Sequence, residues 1–234
     1  MIFEKYFRKS FYFDLREYCA DLPLGASGIV IVLYCCINLF MPLCFKTLSL
    51  QLTIAPWGAF LLLMLFLYFE KSSIPEICSF RKLEPGNGSK VTVTLLLVML
   101  LVFICNYWSG EFFKLIGLSV DETQPIAETL KEASLTEIIL IGVTTIIFAP
   151  IGEEIVFRRM LYGILLQTGP LKALLLTSFL FSIAHFYLAG IPGLFFFALL
   201  LQLLYLNTRN LWCPIQLHVV FNAMSFISVL AQKN

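Results

Sequence analysis

From Val91 to Trp108 the chain runs for eighteen residues without a charged side chain. Hydrocarbon offers no water to satisfy backbone N–H and C=O groups, so a lipid-spanning stretch of this kind is confined to an α-helix. Comparable apolar runs recur at about 27–45, 52–69, 135–167, 171–188, 191–207 and 211–231. The chain therefore reads as all-α: a polytopic membrane helix bundle of about seven transmembrane helices. Composition agrees, since 13% of the 234 residues are charged against about 25% in a soluble domain. A net charge of +1 leaves no basic face for nucleic acid. The partners implied are the lipid bilayer and whatever lies in it.

Three regions follow in order. Residues 1–26 mix Lys5, Arg8, Lys9 and Arg16 with Phe3, Tyr6, Phe7, Phe11, Tyr12 and Phe13, a basic-aromatic arm suited to the inner membrane face. The arm is too charged and too long for a cleaved signal peptide. Residues 27–134 hold three transmembrane helices and an acidic surface loop. Pro85-Gly86-Asn87-Gly88 is a turn cluster, Tyr107-Trp108 an interfacial anchor, and 109–135 a loop with a short amphipathic helix, broken by Pro125. Residues 135–234 form a four-helix core. Pro150 is expected to kink its first helix, and Thr168-Gly169-Pro170 to turn into the next. With the N-terminus inside, twelve Lys/Arg fall on inner segments and four on outer ones, so the positive-inside rule favours N-inside, C-outside. The seven cysteines show no C-x-x-C pair and read as small hydrophobes.

Charge inside the core demands a reason, because an ionisable side chain near a bilayer centre costs about 2.5–3.5 kcal/mol. Glu153-Glu154 and Arg158-Arg159 lie within seven residues of one another. On a helix Glu154 and Arg158 are four apart with the acid first, the better orientation for an ion pair. Glu153 points about 100° away from Glu154. It is thus left in a low-dielectric cavity, an environment that suits a general base. The plainer alternative is that both acids pair with the arginines near a membrane face. The chain has two histidines. His185 follows the 168–170 turn by about as many residues as Glu153 precedes it, so an antiparallel helix pair sets them level. His218 and Asn222, one turn apart, share a face, and a carboxamide there can stabilise an oxyanion. Helix-to-helix hydrogen bonding is the bland reading of each. Buried polar groups from three helices meeting in one cavity are hard to explain as packing alone.

Glu153-Glu154-x-x-x-Arg158, Phe181-x-x-x-His185 and His218-x-x-x-Asn222, with the run Leu211–Leu217 leading into the third, resemble the three-motif signature of the CAAX-protease and bacteriocin-processing (CPBP, or Abi) intramembrane proteases. The likeness covers roughly 135–230, and Arg159 stands where many members have glycine. The resemblance implies a multi-pass endopeptidase of a bacterial cell membrane, cutting a membrane-associated peptide or protein. It implies that Glu153 with His185 activates water, that His218 and Asn222 hold the oxyanion, and that Glu154 with Arg158 is a structural ion pair within the catalytic group. Two routes stay open. Glu153, His185 and His218 are a legitimate set for a divalent metal such as zinc, with one open position. A metal-free route uses the same residues, and the asparagine favours it. Two other functions compete: a non-catalytic family member acting as a scaffold, immunity or regulatory protein, and a proton-coupled transporter using Glu153 and His185. The transporter lacks the inverted repeat expected of one. The short reach from Pro214 to His218 sets the site about 10 Å into the membrane, in the inner half.

Overall fold

The computed structural model describes residues 24–40, 48–69, 80–117, 129–131 and 133–231. Nearly all of the basic-aromatic arm and most of the acidic loop lie outside these. Seven helices are described: α1 (Leu24–Phe40), α2 (Leu48–Phe69), α3 (Asn87–Leu115), α4 (Leu135–Thr168), α5 (Pro170–Ile183), α6 (Ile191–Thr208) and α7 (Trp212–Ala231). No strand occurs among the described residues.

Four helical stretches are long and apolar enough to cross a membrane: Asn87–Leu115, Leu135–Thr168, Leu188–Thr208 and Trp212–Ala231. The apolar parts of α1, α2 and α5 are shorter, at Ser27–Asn38, Pro56–Phe66 and Pro170–Ile183. Large apolar side chains such as Leu96, Phe103 and Ile139 point outward, as a lipid-bathed surface allows. The chain is an integral membrane protein. Among the described residues, four of the seven helices reach spanning length by this measure.

Helix α4 lies at the centre. Its segment 144–153 packs on α2 and α7, and its segment 154–165 on α1 and α5. Helix α6 then packs across α3 and α5, and α7 across α3 and α6. The α3–α6 approach is close because Gly193 carries no side chain: a Cβ there would stand 2.5 Å from Oδ1 of Asn106. Small residues allow such backbone contacts between membrane helices. Asn210, 1% exposed, fastens the α6–α7 turn: its side-chain oxygen accepts from the Trp212 N–H and its amide donates to the Arg81 carbonyl at 2.9 Å.

Several boundaries differ from the sequence expectation. Asn87 and Gly88 open α3 rather than closing a turn, since the turn is completed by Gly86 (φ 88) and the Lys90 N–H already bonds the Gly86 carbonyl. Ser109–Leu115 continue α3 instead of starting a loop, with an exposed Glu111–Lys114 pair one turn apart. Pro150 does not break α4. Phe148 and Ala149 keep helical dihedrals, and the wider π-turns of Thr144–Phe148 take up the ring that an α-turn would clash with. A second π-helical segment covers Glu154–Leu161.

Candidate active site

Glu153 and Glu154 sit where the α-helical turn Ala149–Glu153 passes into the second π-segment. Glu154 is fully buried and takes three donors. Arg158 reaches Oε2 with Nε at 2.9 Å and Oε1 with an Nη at 3.4 Å, and Nδ1 of His218 lies 3.0 Å from the same Oε1. Arg158 also stacks over the Phe181 ring, its guanidinium carbon 4.8 Å from the centroid. A carboxylate out of reach of water is tolerable only when neutralised and hydrogen-bonded in this way. The pairing of Glu154 with Arg158 expected from their spacing is present. Sequence spacing did not reveal that His218 joins it from α7.

Glu153 has no such partners. Its Oε2 is buried without a hydrogen bond, and Nε2 of His218 stands 3.8 Å away, beyond bonding distance. His218 therefore lies between the two acids, held by one and facing the other.

His185 is not inside α5, as its run of apolar residues suggests, but just past its end. Phe186 adopts φ 49, a left-handed conformation that ends the helical ladder after Ile183. The ring is nevertheless fixed: Nδ1 of His185 donates to the Phe181 carbonyl at 2.8 Å. In the neutral ring this leaves Nε2 as an acceptor. Phe181 thus holds one histidine through its backbone, and its ring stands edge-on to the other at 6.0 Å between centroids.

Asn222 donates from Nδ2 to the Thr145 carbonyl at 2.8 Å, which leaves its second amide hydrogen available. Thr145 belongs to the first π-segment. Its neighbour Thr144 accepts from the Trp57 indole at 2.8 Å. Thr145 and Trp57 were not singled out from the sequence. The only signal there was two hydroxyl residues inside an apolar run.

Glu153, His185, His218 and Asn222 all line one cavity of about 310 Å³, with Thr145 and Tyr187 also on its wall. On the far side of the 184–187 connector lies an apolar groove of about 640 Å³, walled by residues such as Ile31, Phe157, Leu180 and Phe186. Among the described residues no three His, Cys, Asp or Glu side chains gather closely enough to hold a metal ion. Nδ1 of each imidazole is held by a protein acceptor, which orients the ring and leaves Nε2 for the cavity.

Residues 135–224 match the family described as Type II CAAX prenyl endopeptidase Rce1-like. A Bacillus subtilis protein named "Putative membrane peptidase YdiL" is 28% identical over 158 residues, 63% of this chain and 62% of that one. The match thus spans less than two thirds of that relative's length. No solved structure gives a significant match.

Proposed function

From the match of residues 135–224 to the Type II CAAX prenyl endopeptidase Rce1-like family, we propose that this membrane protein is an intramembrane endopeptidase cutting a membrane-associated peptide or protein. The observation that carries the reading is Glu153, half-buried with its Oε2 atom buried and free of hydrogen bonds, on the wall of a cavity shared with two oriented imidazoles and an oriented amide.

The chemistry follows from which lone pairs and protons are left over. A water in the cavity can donate one hydrogen to Glu153 while His185 accepts the other at Nε2. Glu153 takes the proton as the water oxygen attacks the peptide carbonyl. The second amide hydrogen of Asn222 and Nε2–H of His218 donate to the resulting oxyanion. For His218 this requires a ring protonated at both nitrogens, with Glu154 holding the Nδ1 proton. Glu153 then returns its proton to the amine nitrogen, the C–N bond breaks, and a carboxylic acid and an amine leave. No step is routed through a metal. The apolar groove beside the connector offers room for the greasy part of a membrane-anchored substrate.

Comparative proteomics of membrane peptides tests the proposal. Cells carrying Glu153→Ala are expected to accumulate an uncut substrate that wild-type cells process, with equal amounts of folded protein in both. Unchanged processing by Glu153→Ala would favour a scaffold or immunity role.

A further inference from the structure

The groups above all come from α4, α7 and the α5 connector, within the family-matched stretch. A further polar group reaches the same point from outside it. Tyr34, on α1, is 7% exposed, and its ring packs on Gly152, the residue before Glu153. A Cβ at position 152 would stand 3.1 Å from the Tyr34 hydroxyl oxygen and 3.6 Å from Cε2. Such an approach is tighter than side chains ordinarily tolerate, so glycine is what admits the phenol. The Tyr34 hydroxyl makes no hydrogen bond with any described residue, and the charge of Glu153 acts on it electrostatically. A donor on α1 thus packs on Gly152, and the next residue of α4 carries a buried carboxylate oxygen without a hydrogen bond.

Resting on the endopeptidase reading, we propose that Tyr34 is a positioning residue for Glu153: its phenol O–H donates to the glutamate carboxylate and holds it toward the cavity. Tyr34 brings no charge into the site. Position 34 lies outside residues 135–224, so α1 completes an active site whose motifs are all elsewhere.

Tyr34→Phe keeps the ring against Gly152 and removes only the hydroxyl. A hydrogen bond to a charged group contributes enough that kcat is expected to fall about tenfold or more, with KM changed by less than about twofold. Thermal unfolding in detergent should be unchanged. Gly152→Ala should lower kcat in the wild-type background and add little in Tyr34→Phe, because both disturb one contact. An activity-independent arm uses infrared spectroscopy: the carboxyl band that disappears in Glu153→Gln should shift in Tyr34→Phe. A wild-type kcat in Tyr34→Phe, or a Glu153 band that does not move, overturns the proposal. If wild type and Glu153→Gln process substrate alike, the endopeptidase reading fails, and the infrared arm still decides whether Tyr34 bonds Glu153.

Discussion

Glu154 and Glu153 are neighbours in sequence with opposite circumstances. Glu154 is saturated by Arg158 and His218, while Glu153 Oε2 has no partner. Removing one member of a buried pair strands the other charge. Arg158→Met should therefore lower stability by about 3–5 kcal/mol, read as a reduced yield and a lower unfolding temperature in detergent. Glu154→Gln likewise strands the buried guanidinium and turns an amide N–H toward a donor, so it should be destabilised comparably. Asn222 makes a different prediction. Its amide is anchored by the Thr145 carbonyl, so Asn222→Ala removes an oxyanion donor without stranding a charge. The expected loss is about 10²–10³ in kcat, with KM nearly constant, measured on the substrate that proteomics identifies. The carboxylates, the arginine and the histidines were all legible as charge or imidazole in apolar runs. Thr145 and Tyr34 were not, because a backbone carbonyl and a phenol in a hydrophobic helix look like ordinary packing.

Helices were legible as elements, and their ends were not. Apolar length alone marks the seven runs, but the ends depend on single turns. Ser134 shows this at the start of α4: its side chain accepts from the Glu137 N–H at 3.4 Å while Glu137 accepts from the Ser134 N–H at 2.9 Å. That reciprocal box fixes the helix start at Leu135. Ser134→Ala should cost about 1 kcal/mol, seen as a small drop in unfolding temperature with proteolysis unchanged. The end of α5 depends instead on the left-handed Phe186, for which no glycine or proline gave warning. At Pro150 the missing N–H is met by π-turns over Thr144–Phe148, and nothing local in the sequence specifies a π-turn.

As a whole, the molecule does not divide where its motifs do. The matched stretch 135–224 packs through α6 and α7 onto α3, and through α4 onto α1 and α2. A chain of residues 135–234 alone would expose those faces. It is expected to aggregate or be degraded, whereas the full chain gives a single detergent-solubilised species by size exclusion. The basic residues as assigned from the sequence, twelve on inner segments against four on outer ones, set the expected orientation. A phosphatase reporter fused after Asn234 should be active outside the membrane, and one inserted in the loop near Arg81 inactive. The opposite pattern would invert the proposed topology and place the cavity in the outer half.

What the amino-acid order determined by itself was the solvent and the chemistry. Apolar runs of spanning length force helices, since lipid satisfies no backbone group, and charges or imidazoles retained at such cost mark where work is done. That His218 joins the neutralised Glu154 from α7, which imidazole nitrogen is occupied, and that a phenol from α1 meets Gly152 were decided only by the tertiary structure. These depend on distances of about an ångström between helices far apart in sequence, and helical periodicity sets a side chain's direction but not what it meets there.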